Sequence, residues 1–583
     1  MSKRKGKKTA SAQAQGRLTR LLPNVVCLFV VAIAVAFVYR GVVHYFFSQD
    51  DFVSIWMSGG KPLTFWRILS SFLYFRLTHL FFGLSPAPYH VASLVLHAVN
   101  ASLVFFIARS FSVDRASSLL ASVFFAVHPA LYVSLYSISS TGEILSSLFI
   151  LLATLYLLRS ARPGGALGII VVCVLFAASI LSKETTILFP LLVPVIYLLR
   201  KSSWRSSIPT VVALAAIAGT YGILFYATNV FGIREASSPT RAYAISLGPG
   251  LVTSLQTYFK WAFNVVESWY YDPVNLLEKN ALPWLFGGIA FFALVCVLGA
   301  NRREGRFCAL WFFLMLALVL PLVHHPYHYY LYLPLAGFSP ILGILMAAGL
   351  RKSRWKVLAS TCVIAFLFLN SGALMSKMER APFGNSQMRA DPVFDRAIVS
   401  KNLINDIGMR RVPPGAKLLL VSPLKEIQQG KLFEQPDLLR GGSYWDENVR
   451  SAVANGLGIR LFFPSVDTVV FAREVTPGFE DYFLLPYTWN GHLRDIQAAR
   501  YWTEVGIEWA GENISFALKC FHNAISLDST YEDGYYNLAR VYFLEQQLAP
   551  AATALRKYIA LCPAGASRDQ AEQELLTLAS QGY

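Results

Sequence analysis

Eleven stretches of this chain are apolar enough to cross a bilayer, and Lys and Arg crowd into every second connector between them. The runs lie near 21–46, 88–108, 116–136, 143–158, 165–182, 185–199, 208–231, 282–300, 307–323, 329–350 and 356–375. A spanning helix needs about 20 residues, so the shorter runs, 185–199 above all, need tilt or neighbours, and the count carries a margin of one. The basic connectors hold Arg109 and Arg115, then Arg159 and Arg162, then Arg200, Lys201 and Arg205, then Arg302, Arg303 and Arg306, and last Arg351, Lys352, Arg354 and Lys356. The intervening connectors are nearly empty of both residues. Under the positive-inside rule this alternation puts the basic tail 1–20 in the cytoplasm. It puts Asp50–Asp51, the loops 47–87 and 232–281, and everything after residue 376 on the other side.

Composition agrees: of 583 residues 55% are hydrophobic and 15% charged, with a mean hydropathy of +0.47. The net charge of +17 sits in short clusters between apolar runs, a topology signal rather than a phosphate-tracking groove, and no nucleic-acid motif accompanies it. Five of the seven cysteines, Cys27, Cys173, Cys296, Cys308 and Cys362, fall inside apolar runs, where Cys acts as a small hydrophobe. Cys520 and Cys562 read as helix-packing residues, since two do not make a disulfide framework. Lys3, Arg4, Lys5, Lys7 and Lys8 precede the run that starts at Leu21, and no small-residue cleavage site follows it. That pattern is expected of an uncleaved anchor.

Past Met375 hydropathy falls. Residues 376–497 mix β-like runs (Leu418–Val421, Arg460–Phe463, Thr468–Phe471) with helical and turn segments, predicting a small α/β module. Residues 498–583 turn helical and repeat at 34 residues: Ala517 with Ala551, Phe521 with Leu555, Ala524 with Tyr558, Ser529 with Pro563. Tyr535, Leu538, Ala539 and Tyr542 fit the first helix of a tetratricopeptide repeat. Two units are few for a free-standing solenoid, so the α/β module or a terminal helix over 570–580 is expected to cap them.

Chemistry-bearing residues gather at connectors of one face. Asp50 and Asp51 close the first run; adjacent carboxylates repel, which can raise one pKa and suit it to general-base work. A lone Asp there would read as a polar anchor. Lys183 and Glu184 occupy a short turn, either as a self-satisfied ion pair or as a cation for an anionic group beside a positioning carboxylate. His324, His325, His328 and Tyr329 fill another turn; no metal-ligand spacing accompanies the histidines, so contact with a phosphate is the better expectation. A divalent metal stays open, with no cofactor required. His128, beside Pro129, and Glu143 sit near the ends of two runs, as cavity-lining candidates or, for His128, as a satisfied core residue. The loops 47–87 and 232–281 are aromatic (Phe65, Trp66, Phe72, Phe75 and Phe82 in the first; Tyr258, Trp261, Phe263, Trp269, Tyr270 and Tyr271 in the second) and are expected to lie in the membrane interface. Arg234 and Arg241 in the second loop add cations on the same side.

Acid and cation on one membrane face suit group transfer from a lipid phosphate; a transporter would keep charges near the midplane. The motifs in order resemble the GT-C superfamily of polytopic glycosyltransferases, in particular its TMTC-type O-mannosyltransferase branch with extracytoplasmic tetratricopeptide repeats and the bacterial relatives of that branch. The resemblance is carried by Phe47-Ser48-Gln49-Asp50-Asp51-Phe52, by Lys61-Pro62-Leu63-Thr64 with Gly83 to His90 and Leu96-His97, and by Val127-His128-Pro129 with Glu143-Ile144-Leu145. Leu181 to Thr185 and Leu331 to Phe338 extend it. It departs where that family carries an acidic-plus-Arg pair before the Leu-Tyr-Leu-Pro stretch, since His328 and Tyr329 stand here, and where an Arg precedes the acidic residue, since Thr141 stands before Glu143.

The resemblance implies an inverting transferase that uses a polyprenyl-phosphate sugar, with Asp50 or Asp51 as base and Asp50 favoured. It implies that Lys183, His324, His325, His328, Arg234 and Arg241 hold the donor phosphate, while Glu184, His128, Glu143, Tyr329 and Trp261 line the substrate cavity. The acceptor is a protein, lipid or glycan hydroxyl, and the repeats offer a surface for a protein partner. Two other readings stand: transfer of a different lipid-linked group on the same scaffold, and a non-catalytic scaffold that recruits partners through its tail. The expected location is a bacterial inner membrane with the tail in the periplasm, or the endoplasmic reticulum in a eukaryote.

Overall fold

A computed structural model describes residues 22–59, 66–228, 245–263, 282–297, 302–323, 325–349, 353–381, 389, 391–410, 412–422, 442–494 and 498–582. It divides into two compact units, Met1–Ala397 and Ile398–Tyr583.

The first unit is a multi-pass helical assembly. Among its described residues five helices are long and apolar enough to cross a membrane: Pro86–Ser110, Ile138–Arg159, Trp204–Thr228, His328–Gly349 and Arg354–Arg380. The bent pair Arg115–Ala126 and Pro129–Tyr136 makes a sixth if counted as one span. Shorter apolar helices cover Leu22–Val38, Ile68–Phe82, Ala166–Ser182, Glu184–Leu199 and Pro283–Val297 among the described residues. Where the run 185–199 predicts one span, the chain forms 3-10 turns at Glu184–Thr186 and Phe189–Leu192 before a helix over Val193–Leu199. Pro190 and Pro194 remove backbone donors there. The run 307–323 gives a helix only over Arg302–Leu316, followed by turns through Pro321.

The run 116–136 breaks at Val127–His128, where Pro129 opens the next turn. The two arms meet at 46°. A broken span leaves carbonyls without helical partners, and in an apolar surround each must find a donor. His97 supplies one: its Nε2 lies 2.9 Å from Ala126 O, and its Nδ1 lies 2.7 Å from the Tyr332 hydroxyl. A carbonyl only accepts, so Nε2 carries the proton and Nδ1 accepts from Tyr332. Tyr39 donates to His128 O at 2.8 Å, and His90 reaches Leu135 O at 3.2 Å. His97→Ala should therefore cost about 1–3 kcal/mol, the penalty of an orphaned buried carbonyl. Thermal unfolding in detergent reads this, and an unchanged midpoint would remove His97 from that role.

The first unit runs past the hydropathy drop at 376 to Ala397 because Phe394 is fully buried in it. Its ring meets Tyr45, Tyr132 and Tyr136 at 5.4, 5.6 and 4.9 Å.

The second unit is built on a three-stranded parallel sheet ordered β2-β1-β3, with β1 Lys417–Val421, β2 Thr468–Ala472 and β3 Tyr482–Pro486. Leu418 of β1 pairs with Val469 and Phe483. Alternation divides the central strand between two cores: Leu418 and Leu420 pack with Leu403 and Val449, whereas Leu419 and Val421 pack with Trp502 and Phe516. β1 and β2 form where strands are predicted, but Arg460–Phe463 does not: Leu457–Phe462 is helical. Gly456, at φ +88°, turns the chain into that helix, which buries Ile459. Helices Ala498–Trp509, Ile514–Leu527, Glu532–Leu544, Leu548–Leu561 and Ala566–Ser580 follow. Ala517 and Ala551, Phe521 and Leu555, and Ala524 and Tyr558 are all buried, so the 34-residue spacing coincides with packing positions.

Candidate active site

Within the first unit a cavity of about 300 Å³ collects polar side chains from separate stretches of sequence. Ser48, Gln49 and Asp50 line it, as do Trp66, Arg67 and Ser71. Lys183, His325, Tyr327, Tyr329 and Tyr330 line it as well, and so do Pro392, Val393 and Arg396.

The two adjacent carboxylates separate sharply. Asp50 is exposed to the cavity at the start of helix Asp50–Ser58. Asp51 is buried: its Oδ2 accepts from Ser48 N at 3.0 Å and its Oδ1 from Ser139 N at 2.6 Å. Asp51 thus ties the start of its helix to the turn at 137–140. Gln49 holds φ +50° at this junction, a conformation costly for a non-glycine residue.

Burial lifts the Asp51 carboxyl from the ordinary 3.8 to about 7, despite the backbone N–H groups of Ser48 and Ser139, which favour its charge. Between these values the folded chain keeps a proton that the unfolded chain has lost, so stability falls as pH rises from about 4 to about 7. Asp51→Asn should flatten that slope in unfolding curves measured across the window. An identical slope in the variant would place the titration elsewhere.

Arg67 is the second residue held at positive φ, +47°, and a π-helix over Ile68–Leu73 follows it. Its Nε donates to Glu184 Oε2 at 3.0 Å and its Nη2 to Oε1, a two-pronged pairing that fixes the guanidinium plane. Trp66 stacks below it, 4.6 Å from ring centre to guanidinium carbon. Lys183 pairs instead with Glu143, Nζ to Oε1 at 3.3 Å, and lies 5.0 Å from the centre of the Tyr329 ring. Lys183 and Glu184 are therefore not each other's ion-pair partners: each is crossed to a residue from another element. Gly142 permits the crossing, because a Cβ there would lie 3.0 Å from Ser182 O and 3.1 Å from Ser70 Oγ. His325 completes the cluster, with Nε2 3.3 Å from the Tyr329 hydroxyl.

Of the residues singled out from sequence, Asp50, Lys183, His325 and Tyr329 meet at the cavity wall. Glu143 and Glu184 stand behind Lys183 and Arg67 as their counter-charges. His128 is not among the lining residues: its Nε2 lies 3.1 Å from Ala262 O, and its Nδ1 accepts from Ala130 N at 3.2 Å. His328 and Trp261 do not line the cavity either. They are buried and stacked on each other, with ring centres 3.8 Å apart. Arg234, Arg241 and His324 lie outside the described residues, as do Phe65, Trp269, Tyr270 and Tyr271. Among the described residues no group of three or more His, Cys, Asp or Glu is placed to hold a metal ion.

Arg67 and Arg396 line the cavity without having been singled out. Arg67 was discernible as a cation in a loop on the side poor in Lys and Arg; nothing in the local sequence marks Arg396.

Residues 69–226, which include Lys183, Glu184, Glu143 and His128, match the family model for dolichyl-phosphate-mannose-protein mannosyltransferase. The chain is 34% identical over 139 residues to human protein O-mannosyl-transferase TMTC3, covering 23% of this chain and 15% of that protein. It is 37% identical over 124 residues to Drosophila melanogaster protein O-mannosyl-transferase Tmtc1, covering 21% of this chain and 14% of that one. The matched stretch is thus a small part of each relative's length. The chain is thus similar to the mannosyltransferase family over residues 69–226 and to the TMTC O-mannosyl-transferases over short stretches, in keeping with the TMTC resemblance that its motifs carry.

Proposed function

We propose that the chain is a membrane glycosyltransferase of GT-C type that moves a sugar from a polyprenyl-phosphate donor to an acceptor hydroxyl on the extracytoplasmic face. The observation that carries this reading is one cavity in which an exposed carboxylate, Asp50, shares the wall with Lys183, Arg67 and His325. Asp50 takes the proton from the acceptor hydroxyl, and the oxygen attacks the anomeric carbon. The bond from that carbon to the phosphate oxygen breaks, and the phosphate leaves with the electron pair, held by the cations of the same cavity. A single displacement inverts the anomeric centre.

The names of the family and of its relatives favour mannose as the sugar and a protein hydroxyl as the acceptor. The alternation of basic connectors supports the outer face, and the shorter apolar helices support further crossings beyond the five long ones, toward eleven. Buried positions repeating at 34 residues support a tetratricopeptide reading of 498–583, a surface that could present acceptor proteins. Mass spectrometry of glycoproteins and glycans from a strain deleted for this chain, complemented by wild type or by Asp50→Asn, tests the reading. The expected result is a glycan lost on deletion and restored by wild type alone. Equal restoration by the variant would favour the scaffold reading.

A further inference from the structure

We propose that a groove between the last two long helices of the first unit holds an anionic phospholipid, with an acyl chain in the groove and the phosphate against the cations at its basic end. None of the residues lining this groove lines the cavity of Asp50.

The groove exists because three helices meet unevenly. Tyr332–Gly349 and Ser353–Arg380 both pack against Arg115–Ala126 but touch each other little. At Gly343 the approach is so close that a Cβ would lie 2.7 Å from Ser117 O, the kind of contact that small residues permit between membrane helices. Further on, at Gly349, a Cβ would meet nothing within 4 Å. The gap that opens has a volume of about 530 Å³ and is lined by apolar residues throughout, among them Leu120, Phe124, Leu342, Gly349, Val363 and Leu367. Gly349 and Val363 are exposed, so the groove is open to its surroundings.

One end of the groove is charged. Lys356, at the start of Ser353–Arg380, lies 4.0 Å from Asp114, and Asp114 caps Arg115–Ala126 by accepting from Ser117 N at 3.1 Å. Both helices therefore begin at this end. At about 1.5 Å of rise per residue, Leu120 stands about 9 Å beyond Asp114 and Val363 about 10 Å beyond Lys356. Arg115 and Arg354 are exposed at the same end. Three cations set against the carboxylate of Asp114 leave it positive. Trp355, also exposed, is of the type that gathers at headgroup level.

The two halves select the occupant. A free phosphate would meet the cations and leave the apolar groove empty. A zwitterionic lipid would fill the groove and bring its own cation to the basic end. A glycerophospholipid with net negative charge answers both. Under the positive-inside rule the basic end lies in the cytoplasmic leaflet, where anionic lipids concentrate.

The test is binding of dioleoyl phosphatidylglycerol, and separately of dioleoyl phosphatidylcholine, to the delipidated full chain in detergent, read by native mass spectrometry. The acyl chains are identical, so the difference reads headgroup charge. Wild type should retain phosphatidylglycerol the more tightly. One Lys or Arg near an anionic lipid is worth about fivefold in affinity. Arg354→Gln and Lys356→Gln should each weaken phosphatidylglycerol by about that factor and leave phosphatidylcholine unchanged. Gly349→Leu, which fills the groove, should weaken both lipids. Arg354 is exposed, so its substitution should not move the lipid-free unfolding midpoint. Equal retention of the two lipids by wild type overturns the proposal, as does unchanged phosphatidylglycerol binding in the charge variants or in Gly349→Leu. Displacement by undecaprenyl phosphate at equal concentration would overturn it in favour of the donor lipid. A dimer that Gly349→Leu abolishes while lipid binding persists would overturn it in favour of a second copy of the chain.

Discussion

Asp50→Asn is expected to reduce sugar transfer by about 10²–10⁴-fold, the usual contribution of a positioned general base. The expectation follows from how the structure divides the two adjacent carboxylates. Asp51 spends both oxygens on the backbone of Ser48 and Ser139 and is buried, so neither oxygen is open to an acceptor. Asp50 lines the cavity that the cations Lys183 and Arg67 also line. The Asn side chain keeps the shape and loses the basic oxygen, so donor binding should hold while turnover falls. Asp51→Asn should act differently: its losses belong to helix placement and to the pH dependence of stability. Initial rates with a polyprenyl-phosphate sugar and a hydroxyl acceptor separate the two. Turnover in Asp50→Asn within tenfold of wild type would remove Asp50 from the base's role.

Lys183→Ala should damage the fold as well as activity. Lys183 is 8% exposed and Glu143 2% exposed, so truncating the amine leaves a buried carboxylate without its counter-charge. Removing one partner of a buried pair costs about 3–5 kcal/mol, whereas replacing both by neutral groups is often close to neutral. The double variant Lys183→Ala with Glu143→Gln should therefore recover much of the unfolding midpoint. It should not recover transfer, because the cation facing the cavity is still missing. Recovery of transfer along with stability would show that Lys183 serves the fold alone.

Much of this site was legible residue by residue. Asp50, Lys183, His325 and Tyr329 all fall at the ends of apolar runs on the side poor in Lys and Arg, and a charged or polar group at such a place is visible because it is costly. The same rule misdirects at His128 and His328. Both sit at run ends, yet the first is consumed by the backbone of Ala262 and Ala130 and the second is stacked on Trp261. Cost shows that a polar side chain needs a partner; it does not show whether that partner is a substrate or a neighbouring carbonyl. How Arg67 and Arg396 come to the cavity is a different matter. Arg67 reaches the cavity through a left-handed backbone and a π-turn, and Arg396 through the burial of Phe394 two residues earlier. Neither device leaves a periodicity to read.

Hydropathy and charge alternation are sums of transfer free energies over local windows, so the sequence alone determined a membrane-embedded helical chain and the run ends at which its acid and its cations lie. Which of two neighbouring aspartates is open, and which carboxylate each cation answers, was decided only by tertiary structure. Those choices depend on close approach between distant segments, such as Ser70, Gly142 and Ser182 meeting within contact distance. Packing at that range is set by three-dimensional fit, and no local window of sequence contains it.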